Sequence, residues 1–221
     1  MLVSAETGYR IWAADYDRDP NPLLALEMRI LSARIGSLNG LRVIDVGSGT
    51  GRWLEYARSR GAHAFGLDLS HDMLMQAWSK TGCRGKLVQA DAERIPFGDD
   101  AADLALASFV TAYSTDVAVL LTELSRIARR VTISDLHPSA AQAGWTRSFR
   151  SGGELYEVEH RAWSAAELMR AADRAGLTLD WSIHASFGES ERELFRRAGR
   201  EHRFEEVQRI PAVLMTSWCR R

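Results

Sequence analysis

The sequence predicts an α/β fold in which a mostly parallel, seven-stranded sheet carries helices on both faces. Two observations lead to that prediction. Short apolar runs alternate with helix-length stretches from residue 41 onward, the rhythm of βαβ units. A glycine-rich turn, Gly47-Ser48-Gly49-Thr50-Gly51, follows directly on the first apolar run, where a strand hands over to a helix.

The elements follow in order. Residues 7–19 carry Tyr9, Trp12 and Tyr16 among charges. Asn21 then reads as a helix N-cap with Pro22 at the first helical position. Leu23, Leu26, Ile30 and Leu31 continue at helical spacing to a stop at Gly36 or Gly40. Strands are predicted over 41–46, 62–67, 86–90, 102–108 and 130–136, with helices from about 52, over 70–80 and over 116–128. Residues 137–163 lose periodicity, broken by Pro138, Gly144, Gly152 and Gly153. That length is uncommon for an idle connection, so it reads as a functional insertion. Ser164 and Glu167 have the spacing of a capping box, and Gly176 stands at a helix C-cap position. Strands over 177–187 and 212–218, with charged helical material between them, complete the sheet. The chain thus reads as one domain over 1–221: a helical cap (1–40), a cofactor-binding half (41–136), a lid or substrate insertion (137–163) and the rest of the sheet (164–221).

Composition narrows the function classes. The 221 residues are 46% hydrophobic and 26% charged, with a formal net charge of -1, so no charge excess favours nucleic acid or an anionic membrane. The Arg-rich stretch from Arg192 to Arg203 is interleaved with Glu191, Glu193 and Glu201, the pattern of a solvated helix face. Cys83 and Cys219 lack metal-ligand spacing and fit a reducing cytoplasm, and no metal site is expected. No leader and no run long enough to cross a membrane is read from the sequence.

The glycine turn is the most informative stretch. A strand ends at Asp45, and the turn then brings a ligand close to backbone where a Cβ would collide. A dinucleotide fingerprint would place a small residue where this chain has Arg52, whereas the fifth-position glycine, Gly51, with an acid just before the loop suits S-adenosylmethionine. Asp45-Val46-Gly47-Ser48-Gly49-Thr50-Gly51 resembles the first motif of the class I S-adenosylmethionine-dependent methyltransferases, whose fold is Rossmann-like. Gly66-Leu67-Asp68-Leu69-Ser70 resembles the second, implying that Asp68 accepts from the ribose hydroxyls and that Met73 packs on adenine. Asp91 and Ala92 resemble the pair that meets the adenine amino group and a ring nitrogen. Ile95-Pro96-Phe97 resembles the subfamily of ubiquinone and menaquinone biosynthesis methyltransferases. Ser108 and Phe109 then fall where the family holds the methionine moiety, and Tyr16 and Tyr9 resemble aromatics that cover the cofactor.

The resemblance implies S-adenosyl-L-methionine as cofactor and a small-molecule methyl acceptor. Ser108-Phe109-Val110-Thr111-Ala112 lacks the proline-rich motif of base methylation, which disfavours a nucleic-acid acceptor. His137, just past the fifth strand, is the candidate general base, with Tyr156 and His160 behind it. The alternatives are an NAD(P)-binding oxidoreductase, disfavoured by Arg52 and by the lack of a Tyr-x-x-x-Lys pair, and a non-catalytic binding module.

Overall fold

The computed structural model describes residues 1–18 and 21–221. The predicted leading segment's last residue, Asp19, lies outside them. Five parallel strands form most of the main sheet: β2 (Arg42–Val46), β3 (His63–Asp68), β4 (Leu87–Gln89), β5 (Ala102–Ser108) and β6 (Ala128–Leu136). The last two, β9 (Leu177–Ala185) and β10 (Val213–Arg220), complete the order β4-β3-β2-β5-β6-β10-β9, with β10 antiparallel to both neighbours. The strand order reverses between β2 and β5, and their carboxyl ends open the crevice where a ligand sits in such sheets.

Local chemistry accounts for the helices. In α2 (Pro22–Arg34) the Asn21 side chain accepts from Leu23 N–H at 2.9 Å and Pro22 starts the helix. The helices α4 (His71–Ser79) and α5 (Val117–Ile127) are capped by Ser70 and Asp116, and α7 (Ala165–Arg174) has the predicted Ser164–Glu167 capping box. On one face of the sheet α5 and α7 pack through Leu120, Leu124, Ile127 and Leu168. On the other, α2 and α3 (Arg52–Ser59) pack through Leu26, Leu31, Trp53 and Leu54. A fully buried leucine contributes about 1.5–3 kcal/mol.

The predicted insertion turns out to be ordered. His137 caps a short helix, α6 (Pro138–Gln142), and a hairpin follows, β7 (Arg147–Ser151) and β8 (Glu154–Val158). Its turn is Gly152-Gly153, at φ 57° and 86°, a conformation that favours glycine. The chain's first strand, β1 (Leu2–Val3), runs parallel to β8, so the amino-terminal segment and the insertion share one three-stranded sheet. Helix α1 (Ala5–Trp12) lies against it, with Gly8 seated on Val158. Trp12 stacks on Phe149 at 4.6 Å between ring centres, and Phe149 stacks on Tyr156 at 5.3 Å.

The Arg-rich stretch forms α8 (Glu189–Arg197) and α9 (Glu201–Val207), with Arg192 bridging Glu189, Glu201 and Glu205 at the surface. Glu191 departs from the solvated pattern: it is buried and takes Arg29 at 2.8 and 3.0 Å, which ties α8 to α2.

Gly51, at φ 84°, closes the loop onto α4: a Cβ there would stand 2.7 Å from Cys83 Sγ and 3.2 Å from Ala77 Cβ. Gly51→Ala is expected to cost about 2–3 kcal/mol of stability in urea unfolding, from overpacking and the left-handed backbone together.

Candidate functional site

A cavity of about 270 Å³ opens at the carboxyl ends of β2, β3 and β5. Its lining includes Gly47, Gly49, Asp68, Leu69, Met73 and, across the crevice, Asp91, Ala92 and Ser108. Its roof comes from the amino-terminal segment, with Tyr9 and Tyr16, and from a 3₁₀ turn after β5, with Tyr113. The sequence-derived positions Gly47, Gly49, Asp68, Leu69, Met73, Asp91, Ala92, Ser108 and Phe109, with Tyr9 and Tyr16, therefore meet here.

Asp68 anchors the wall of the cavity at the end of β3. One carboxylate oxygen accepts from Gly49 N–H and the other from Ser70 N–H, both at 2.8 Å. Burial pushes its pKa up, and the backbone donors oppose that shift. It thus fixes the loop as well as facing the cavity. Asp91 accepts from Glu93 N–H at 2.9 Å, which sets the turn that presents Ala92.

Other expected residues lie elsewhere. Asp45, 1% exposed, is under the loop rather than on the main cavity, accepting from Leu54 N–H in the first turn of α3 at 2.9 Å. Burial raises its pKa to about 7, against the opposing pull of Arg52. Gly51 shapes the loop by packing and is not among the residues that line this cavity. Ser48 faces a side cleft, its buried hydroxyl without a partner among the described residues.

His137 is the clearest correction to the sequence reading. Its Nδ1 accepts from Ser139 N–H at 3.0 Å as the cap of α6, and its Nε2 is 2.7 Å from His184 Nδ1. Both ring nitrogens are engaged away from the cavity, and burial with the neighbouring His184 lowers its pKa. It is therefore not placed to take a proton from an acceptor. Tyr156 is stacked behind Phe149, and His160 Nδ1 lies 3.0 Å from Val158 carbonyl oxygen; neither lines the cavity.

Three features had no clear signature in the sequence. Glu27, fully buried on α2, accepts from Arg52 (2.8 Å), Trp53 Nε1 (3.0 Å), Ser108 Oγ (2.8 Å) and Ser134 Oγ (2.7 Å). Arg147, in the hairpin, pairs with Asp135 at 3.1 Å and stands over the Phe109 ring at 4.4 Å. Phe109 itself has φ 58°, an uncommon backbone state for a bulky residue, held by a 2.7 Å bond from its N–H to Ser134 carbonyl. The periodic placement of Glu27 on a helix and of Arg147 on a strand carried no mark of their partners.

Tyr9 Oη donates to Tyr113 Oη at 2.8 Å. Burial raises the pKa of Tyr9 and Tyr113, and takes Tyr16 up to about 12, so all three stay neutral donors at ordinary pH. No group of three or more acids, histidines or cysteines suited to a metal occurs among the described residues.

The donor set fits S-adenosylmethionine: side-chain-free backbone at Gly47 and Gly49, a carboxylate at the end of β3 and the thioether of Met73 beside the loop. Comparison with known proteins agrees. Residues 44–134 match the family model described as "Methyltransferase domain". They belong to the class I S-adenosylmethionine-dependent methyltransferases, and the cofactor is S-adenosyl-L-methionine. Among relatives, a malonyl-[acyl-carrier protein] O-methyltransferase from Pseudescherichia vulneris is 33% identical over 145 residues, 66% of this chain and 53% of that protein. The chain thus spans about half the length of that relative. In fold it is similar to an S-adenosylmethionine-dependent methyltransferase from Mesorhizobium loti (TM-score 0.69, 23% identity, covering 90% of this chain and 100% of that one). It is similar also to the magnesium protoporphyrin IX methyltransferase of Synechocystis PCC 6803 with bound S-adenosylhomocysteine (TM-score 0.67, 16% identity, 98% and 95% covered).

Two outcomes follow from the site. Asp68→Ala is expected to weaken S-adenosylhomocysteine binding by about 1.5–3 kcal/mol in calorimetry, the scale of hydrogen bonds to a charged group. Asp45 gives a pH signature in the ligand-free protein. Its folded pKa, about 7, lies above the ordinary value of 3.8, so the folded state holds the extra proton between them. Stability measured against Asp45→Asn should therefore fall as pH rises from about 4 to 7 and level off beyond; a flat difference would show the carboxyl ionised throughout.

Proposed function

We propose that this protein transfers the methyl group of S-adenosylmethionine to a carboxylate oxygen of a small or carrier-presented acceptor held beneath α1. One observation carries the reading: the acceptor end of the cavity offers the neutral phenols of Tyr9, Tyr16 and Tyr113, and no histidine or lysine lines it among the described residues. A carboxylate is already ionised at neutral pH, so its oxygen can attack without losing a proton. When bound, S-adenosylmethionine supplies the activated methyl group; the protein has to align the acceptor and exclude water.

The residues suit that task. Tyr9 donates its hydrogen bond to Tyr113 Oη, which leaves the Tyr113 hydroxyl free to donate to an acceptor oxygen. Arg147, close behind Phe109 and Tyr113, adds positive potential on the same side. The name of the malonyl-[acyl-carrier protein] O-methyltransferase relative points to the same chemistry. The amino-terminal segment serves as the lid, since Ala5, Glu6, Tyr9 and Tyr16 line the cavity. The insertion backs that lid through Trp12 on Phe149 rather than lining the cavity itself. The oxidoreductase reading loses further ground, because Arg52 fills the position of the small residue and is ion-paired with Glu27.

The test uses methyl-labelled S-adenosylmethionine with a panel of carboxylic acids, free and as malonyl-[acyl-carrier protein]. A carboxyl methyl ester releases labelled methanol on mild base treatment, whereas methylated nitrogen, carbon or ether oxygen does not. Base-volatile label is the expected result, and Tyr113→Phe should raise the acceptor KM while leaving S-adenosylhomocysteine affinity within about twofold. Label stable to base would assign another acceptor atom; no transfer to any acceptor pool would favour a binding module.

A further inference from the structure

We infer that His137 and His184 form a pH-sensitive clasp, which holds the start of the insertion to the sheet near neutral pH and releases it, with the hairpin that follows, in mild acid. The pair stands at the carboxyl edge of the sheet and does not line the cavity. His137 follows β6, His184 lies near the end of β9, and β10 runs between those two strands. His137 N–H bonds to the Ala212 carbonyl at 2.9 Å, and Ala212 N–H to the Ala185 carbonyl at 2.7 Å. The imidazoles bridge the same span through side chains, with His137 Nε2 2.7 Å from His184 Nδ1.

The bonds fix where the protons are. A backbone N–H can only donate, so His137 Nδ1, which accepts from Ser139 N–H at 3.0 Å, carries no proton. The neutral ring then holds its proton on Nε2 and donates to His184 Nδ1, which leaves the His184 proton on Nε2. Both ring lone pairs are therefore taken. A further proton must go either on His137 Nδ1, where it removes the cap of α6, or on His184 Nδ1, where it breaks the clasp. Burial and the neighbouring His184 lower the pKa of His137 from its ordinary value of 6.5, in keeping with this geometry. Helix α6 carries no ionisable side chain; the charged groups on adjoining elements are Asp135 on β6, Arg147 on β7, Asp180 on β9, Glu189 on α8 and Arg209 ahead of β10. None of these shifts His137, and Asp135 is taken up by Arg147, Thr111 Oγ1 and Ala112 N–H.

The cap matters because α6 is five residues long, too short to hold its start by helix propagation. Beyond it the hairpin carries Phe149 against Trp12 and pairs with β1. The folded His137 takes a proton less readily than the unfolded ring. Its contribution to stability is thus complete above pH 6.5 and is lost as pH falls below that value. An effect on the roof rests on the lid reading above; the clasp itself does not.

Hydrogen exchange and histidine NMR on the whole chain, between pH 8 and pH 5, test the clasp. At pH 8 both rings should show the tautomer protonated on Nε2. By pH 5 the protection factors of the Ser139 amide and of the hairpin amides (147–158) should fall about fivefold or more, the scale of a lost helix cap. In His137→Asn, whose side-chain oxygen can cap α6 and does not titrate, they should hold steady. A His137 that titrates at or above 6.5, or unchanged protection in the unaltered protein, would overturn the clasp. So would an equal loss in His137→Asn, and loss at Ser139 with the hairpin still protected would overturn the release. Should His137→Asn fail to fold, His184→Leu removes the acceptor; hairpin protection should then already be low at pH 8, and unchanged protection would overturn the proposal. A hairpin that opens while α1 keeps its protection would support the clasp and count against the lid reading alone.

Discussion

The cofactor end of this fold depends on one buried carboxylate. Glu27 has no exposed surface, and an ion so placed is tolerated only when its lone pairs are taken up. It takes donors from α3 (Arg52, Trp53), from the end of β5 (Ser108) and from β6 (Ser134), so one side chain of α2 fixes four elements at the sheet's open edge. Removing one partner of such a buried pair costs on the order of 3–5 kcal/mol. The residue after the glycine loop, Arg52, where a dinucleotide site has a small residue, is one of those partners.

The same constraint sets the limits of what could be read from the sequence. The strands, the glycine turn and the caps at Asn21, Ser70, Asp116 and Ser164 depend on local chemistry or short periods, and each has a visible signature. The sequence places Asp68 and Asp91 at the cavity because strand ends are fixed by the fold itself, and Met73 reaches it from the first turn of α4. Glu27 was not: its partners lie 25 to 107 positions away in the chain, and on a helix it resembles any polar residue. The hairpin over 147–158 was missed because its strands are short and mostly polar, and β1 is only two residues long. His137 was misread because position past a strand end is a weaker criterion than what the ring nitrogens bond to.

The amino-terminal segment is bound to the site from both sides. Asp17 accepts from Thr50 Oγ1 in the glycine loop at 2.8 Å and from Lys80 at the end of α4 at 2.7 Å. Tyr9 reaches Tyr113 above the cavity, and Trp12 stacks on the hairpin. The loop that meets the cofactor and the roof over the acceptor are thus joined by a few side chains of modest individual strength.

Charge is distributed in the same economical way. The phenols of the roof are neutral because burial keeps Tyr9, Tyr16 and Tyr113 protonated, and neutral phenols do not repel a sulfonium below them. The formal cations nearby, Arg52 and Arg147, are each tied to an acid, Glu27 and Asp135, so neither is free to swing into the cavity and compete with the cofactor's own positive charge. An acceptor anion between that sulfonium and the phenols would be drawn toward the methyl group by the cofactor itself. For the carboxylate acceptor proposed above, the protein's main contribution would be to hold charges that are already present at the right separation.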